Sequence, residues 1–342
     1  MPASRRRLLG GLLVAPTLGT TLGTTTLGLW AGRIAPAAAQ TGGAAPIRVI
    51  VPNAAGGVAD LTARTVGQAM AEKLRQPVVI DNRPGAGGIV AGQALLGAAP
   101  DGSTLMVATN ANAISRSLFR HLPFDPIRDF APVGLMGSFS IALLVAPNSP
   151  IRDVDALLRK LKADPAGTNI GTISVGSTQN LAAELFRIST GLDATIVPFS
   201  GTPALLTGLL RGDVTVAFEI VAPLMGQLKD GSLRAIAVTS AARAANLPEV
   251  PTLREAADIP GLRDFDVTSW NALVAPARTP EPAVARLNGA LNEVLADAGI
   301  RRQLLDAGVE AHGGTPAALG QLMEREAAKW ARVIEQARIE RQ

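Results

Sequence analysis

Short apolar runs alternate along the chain with longer stretches whose apolar residues recur three to four positions apart. The runs "IRVIV", "PVVID", "TLMVATN", "IALLVAPN", "TNIGTI", "ATIVPF", "DVTVAFE", "LRAIAVTS" and "NALVAPA" have strand length and predict β-strands. Between them, "VADLTARTVGQAMAEKLR" places Leu61, Val66, Met70 and Leu74 near helical spacing, and "STQNLAAELFRIST" does so with Leu181, Leu185 and Ile188. "EPAVARLNGALNEVLADAG" and "TPAALGQLMEREAAKWARVIEQAR" predict amphipathic helices near the C-terminus, with their charges on a solvated face. Such alternation predicts an α/β protein with mostly parallel sheets flanked by helices on both faces. No fixed-period repeat is present.

The strands are too many for one comfortable sheet, and the chain has plausible crossing points near Ala146–Pro150 and Val267–Pro280. Two lobes follow: residues 45–147 with 268–342 as lobe 1, and residues 148–267 inserted as lobe 2. Each is near the usual size of a domain, and a cleft is expected where they meet.

Residues 1–39 stand apart. "SRRRLLGGLLVAPTLG" joins an Arg cluster to a Gly- and Thr-softened apolar stretch ending in Ala37, Ala38 and Ala39, the pattern of an export signal cleaved near Ala39. The order Ser4, Arg5, Arg6 and then Leu8, Leu9 resembles a twin-arginine signal. Thr20, Thr21, Thr24, Thr25 and Thr26 break the run that a spanning helix would need, so membrane insertion is not expected.

That segment changes the charge picture. Without Arg5, Arg6, Arg7 and Arg33, the 32 basic residues of the whole chain fall to the number of its 28 acidic ones. A chain with no net charge gives no footprint for nucleic acid. The absence of cysteine excludes disulfides, thiolate chemistry and Cys-ligated metal. His121 and His312 are far apart in sequence and have no nearby ligand pair, so neither a metal site nor a cofactor is expected.

The candidate chemistry lies in strand-to-helix loops. "VPNAAGGVAD" follows "IRVIV", and Gly56 and Gly57 let backbone N–H groups approach a ligand at the start of a helix that favours an anion. A simple tight turn is the alternative, with Asp60 stabilising the first helical turn. "GTISVGSTQN" has the same design, with Gly176, Ser177 and Thr178 opening a helix; Ser and Thr serve equally well there as N-caps. Two such loops facing each other could grip one small acid from both sides. "DNRPGAGGIVAGQ" lacks the ending of a P-loop and the spacing of a dinucleotide fingerprint, and reads as a strand-to-helix turn. Glu219 ends an apolar strand, where it either enters the cleft or stays partly exposed, and Trp270 reads as core more readily than as a ligand shelf.

"IRVIVPNAAGG", "VVIDNRPGAGG", "APDGSTLMVATN", "LPFDPIRDFAPVG", "LRAIAVTSAAR", "LPEVPTLREA" and "SWNALVAPARTP" together resemble the Bug-type substrate-binding proteins of tripartite tricarboxylate transporters. The resemblance implies a two-lobed, hinged periplasmic-binding-protein fold, type II-like, holding a small carboxylate through amides and hydroxyls of two loops. These correspond to residues 53–60 and 174–178. The implied ligand-binding residues are Asn53, Ala54, Ala55, Gly56, Gly57, Asp60, Thr109, Asn110, Ser174, Gly176, Ser177, Thr178 and Glu219. Departures from the family pattern fall at Asn53, Ala59, Asn180, Ser200 and Glu219; the loss of a basic group at Ser200 weakens the case for a di- or tricarboxylate.

The expectation is a monomeric periplasmic receptor without catalysis, delivering its solute to membrane transporter subunits. The alternatives are a module sensing the ligand for a membrane signalling partner, or an exported enzyme.

Overall fold

The computed structural model describes residues 45–256 and 258–342; the expected export signal lies outside the described residues. The chain begins with β1 (Ile47–Val51), α1 (Val58–Leu74), β2 (Val78–Asn82), α2 (Ile89–Leu96), β3 (Thr104–Thr109) and α3 (Asn110–Leu118). A sixteen-residue strand, β4 (Phe130–Val145), leads to α4 (Val154–Ala163), β5 (Asn169–Ile173), α5 (Thr178–Thr190), β6 (Thr195–Phe199) and α6 (Thr202–Arg211). Then come β7 (Val216–Ile220), α7 (Met225–Lys229), β8 (Arg234–Val238) and α8 (Leu253–Ala256). The chain closes with β9 (Thr268–Pro276), α9 (Glu281–Ala296), α10 (Ala298–Asp306), β10 (Glu310–Ala311) and α11 (Pro316–Gln336).

The strands join in the order β2-β1-β3-β9-β4-β7-β5-β6, with β8 and β10 also on β4. β1 runs parallel to β2 and β3, and β5 runs parallel to β6 and β7, as strand–helix–strand units require. The sheet is nevertheless mixed, with a larger antiparallel share than the alternation predicts, because β4 and β9 return between these units and pair antiparallel with their neighbours. β4 serves two sets of strands: Phe130–Ser140 pairs with β9, and Ile141–Val145 with β7 and β8.

Only the end of β4 is apparent as an apolar run. Its first half contains Pro132, Gly134 and Gly137, and the register against β9 shifts between Pro132 and Gly134 and again between Leu135 and Gly137. Such bulges hide a strand from a period-two pattern. The stretch "EPAVARLNGALNEVLADAG" is two helices, because Asp297 ends α9 and its side chain accepts from the Ile300 N–H as the N-cap of α10.

Helix α11 packs against α3, β4 and α5. Trp330 at its centre is fully buried, and its indole N–H donates to Glu326 Oε2 at 2.9 Å. Asn110, at the start of α3, donates to the same carboxylate at 3.3 Å and to Thr268 O at 3.1 Å, while its Oδ1 accepts from Trp270 N at 2.9 Å. One buried amide thus ties α3 to β9 and α11, and it has little hydrogen-bonding capacity left for anything else.

Candidate functional site

The loop between β1 and α1 is held by an internal polar lock. Gly56 adopts φ +85°, and its N–H donates to Asp60 Oδ2 at 2.9 Å. The same carboxylate receives Arg64 through Nε at 2.9 Å and Asn82 Nδ2 at 2.9 Å. Asn82 also donates to Asn53 O at 3.1 Å, so β2 braces the loop from outside. Burial pushes the Asp60 carboxyl up, but the hydrogen bonds from Arg64, Gly56 and Asn82 and the Arg64 charge outweigh it and hold the group below its usual range. Asp60 is therefore the fastener of the loop, with its oxygens already committed.

The loop between β5 and α5 repeats this construction. Gly176 has φ +80°, its N–H donates to Asn180 Oδ1 at 3.0 Å, and Asn180 Nδ2 donates to Thr172 Oγ1 at 3.2 Å. Ser177 is the N-cap of α5 and accepts from Asn180 N at 3.1 Å, whereas Gly57 caps α1 with no side-chain bond. The first N–H groups of both helices have no intrahelical acceptor.

Both loops open onto one cavity of about 290 Å³, near the low end of small-molecule sites. Of the candidate residues, Asn53, Gly57, Thr109, Asn110, Ser177 and Thr178 line it. Ala54, Ala55, Gly56, Ser174 and Gly176 shape the turns behind it without lining it, and Asp60 lies beneath its loop. Three helix N-termini reach the wall: Gly57, Val58 and Ala59 of α1, Thr109 to Ala111 of α3, and Ser177, Thr178 and Gln179 of α5. No lining residue carries a charge. Three partial positive charges with free N–H groups, and no fixed ion among them, suit a small anion.

Glu219 is buried rather than partly exposed and lies behind this wall. It receives Gln179 Nε2 at 2.7 Å, Ile220 N at 2.7 Å and Thr202 Oγ1 at 3.0 Å. Burial pushes its carboxyl above the usual range, against the pull of these three bonds. Phe139, Ile173, Ile220 and Trp270 supply the apolar part of the lining, and Ser269 and Asn271 a polar part. Trp270 is both core and wall.

Gln179 and Asn271 escape a reading of the sequence. Asn271 faces the cavity only because β9 lies beside β3, with Asn271 opposite Thr109, a pairing that no local pattern announces. The signal for Gln179 was present in the match of "STQN" to "GVAD", which places it two residues beyond the capping Ser177, where Ala59 stands in the first loop.

A larger concavity of about 530 Å³ lies by α10 and β10, where Arg301 and Arg302 stand with Glu310 and His312. Neither Gly-containing loop reaches it, and Arg302 is paired with Asp306 at 3.5 Å.

Residues 62–339 match the family described as tripartite tricarboxylate transporter family receptor. The protein BugT of Bordetella pertussis is 31% identical over 306 residues, 89% of this chain and 93% of BugT. Among solved structures, MatC from Rhodopseudomonas palustris with bound malate is 33% identical with a TM-score of 0.71, over 84% of this chain and 98% of that one. An R. palustris protein with adipate is 30% identical with a TM-score of 0.75, over 85% of this chain and 97% of its own.

Proposed function

The chain belongs to the tripartite tricarboxylate transporter receptor family, and from that premise we propose that it is a periplasmic receptor that captures a small carboxylate and presents it to membrane transporter subunits. The observation that carries this reading is the convergence of three helix N-termini on one uncharged cavity. The malate and adipate held by two relatives are carboxylates of the size such a cavity takes.

In this reading residues 45–147 with 268–342 form one lobe and residues 148–267 the other. The α1 loop binds from the first and the α5 loop from the second. A ligand that touches both only in the closed form supplies the free energy of closure. Each charge-assisted bond contributes about 1.5–3 kcal/mol, so each one made only in the closed form strengthens binding by about one to two decades.

The protein carries out no reaction on its ligand. The hydroxyls of Thr109, Ser177, Thr178 and Ser269 line the cavity, but no histidine, lysine or carboxylate lines it with them to activate one as a nucleophile. Among the described residues no helix is long and apolar enough to cross a membrane.

The test is mass spectrometry of small molecules released when the purified protein is denatured, followed by calorimetry with the molecule found. Recovery of a carboxylate that rebinds unchanged is expected. A bound nucleotide or metal, or conversion of the ligand during titration, overturns the reading.

A further inference from the structure

We infer that the ligand is a carboxylate whose far end carries a hydrogen-bond donor, a hydroxyl, amide or amine, instead of a second carboxylate, and that Gln179 and Asn271 make this choice. The inference rests on the carboxylate-receptor reading and narrows it.

The orientation of both amides follows from their neighbours. Thr62 Oγ1 gives its hydrogen to Val58 O at 2.7 Å, so toward Asn271 it can only accept. The Asn271 nitrogen therefore faces Thr62, at 3.2 Å, and its Oδ1 is left buried with no partner in the wall of the cavity. A buried acceptor without a donor is costly and calls for an explanation.

Gln179 is fixed in the same way. As a carboxylate Glu219 offers only acceptors, and its Oε1 already takes the Ile220 backbone N–H at 2.7 Å. The group that Gln179 turns toward it must be its nitrogen, and the Gln179 carbonyl oxygen remains for the cavity side.

Two amide oxygens, one on α5 and one on β9, thus belong to a cavity that no lysine or arginine lines. At these two oxygens a second carboxylate would set acceptor against acceptor, with the Glu219 carboxyl group directly behind Gln179, and the unpaired buried donor of the lining, Trp270 Nε1, leaves both oxygens unmet. A hydroxyl, amide or ammonium donates to either oxygen. Binding selectivity of this kind comes from the buried polar groups that the wrong ligand leaves unpaired.

The experiment is calorimetric titration of the purified protein with two length-matched sets: succinate, butyrate, γ-hydroxybutyrate and γ-aminobutyrate, then glutarate, valerate, δ-hydroxyvalerate and δ-aminovalerate. In at least one set a donor-bearing acid should bind about tenfold or more tighter than both the plain acid and the dicarboxylate, which corresponds to about 1.4 kcal/mol. Gln179→Met and Asn271→Leu should each reduce that preference to about threefold or less. Asn271→Ser, smaller and still polar, repeats the test should Asn271→Leu fail to fold by circular dichroism. A dicarboxylate that binds as tightly as the donor-bearing acid overturns this inference and leaves the receptor reading standing, as does a preference that survives all three substitutions. If no carboxylate of any class binds, the receptor reading falls and this inference falls with it.

Discussion

Asp60 and Asn180 hold the same place in two copies of one turn. Each accepts the N–H of a glycine four residues earlier, Gly56 at 2.9 Å and Gly176 at 3.0 Å, and each of those glycines has a positive φ. The neighbouring bonds also match: Gly57 N to Ala54 O and Ser177 N to Ser174 O, then Leu61 N to Gly57 O and Leu181 N to Ser177 O. The copies differ in charge. The carboxylate of the first requires Arg64 and Asn82 around it, whereas the amide of the second supplies its own donor to Thr172.

Because an amide does this work in one loop, it should do so in the other. Asp60→Asn is expected to keep ligand affinity within a few-fold, while Asp60→Ala, which leaves the Gly56 N–H and Asn82 without an acceptor, should cost about tenfold or more in affinity. The Asp60 carboxyl titrates below its unfolded value, so its stabilising contribution is present above that value and is lost as pH falls through the folded one. Thermal unfolding of wild type and Asp60→Asn should therefore differ at neutral pH and converge in acid.

Glu219 has the opposite sign. Its carboxyl is raised, so its contribution is greatest below the unfolded value and is lost as pH rises through the folded one. Glu219→Gln can still accept from Ile220 and Gln179 and donate to Thr202. Its unfolding temperature relative to wild type should rise from acid toward neutral pH. Glu219→Leu leaves three donors unpaired and should lose about 3–5 kcal/mol of stability in acid, and less as pH rises toward neutral.

Gly57 separates binding from folding. Its φ is −77°, and a Cβ there would sit 3.5 Å from Ala54 O, an ordinary contact. Gly57→Val should fold with near wild-type stability yet block backbone approach to the ligand and lower affinity by about tenfold or more, as calorimetry would show. Gly176→Ala should do the reverse damage. Its positive φ and the collision of a new Cβ with Leu118 should destabilise the fold by about 1–3 kcal/mol in urea titration.

Ser177→Ala removes a cap and a donor together. A stability loss of about 0.5–2 kcal/mol is expected from the cap alone. Combined with Thr178→Ala, affinity should fall by one to two decades for each ligand bond lost, about 1.5–3 kcal/mol apiece. Normal binding by Gly57→Val beside a strong effect here would place the ligand on the α5 loop alone.

Local order was legible where it is local. "IRVIV" and "VADLTARTVGQAMAEKLR" give β1 and α1 almost to the residue, since apolar period and Gly boundaries act within a few positions. The two Gly loops were legible for the same reason. The partners of these loops were not: Asn82 reads as part of a Gly-rich turn, yet it braces the first loop from 22 residues away in sequence. Asn110 reads as the end of the strand run "TLMVATN" and as an implied ligand residue, yet it starts α3 and is the hub joining Trp270 and Glu326, the latter 216 residues on. Polar residues declare such roles only when strand order and register bring their partners beside them.

The position of β9 between β3 and β4 also sets the order in which the molecule can be assembled. Until residue 268 has been synthesised, the facing edges of β3 and β4 have no neighbour, although both strands were made over 120 residues earlier. The β1–β3 strands can pair with one another, and β5–β7 can meet β4, within that interval, so two groups of strands form before the one that joins them. A nascent or truncated chain ending ahead of β9 exposes two unpaired apolar edges, an aggregation hazard. Closing the sheet accordingly waits on one nine-residue strand that has to enter between two already made.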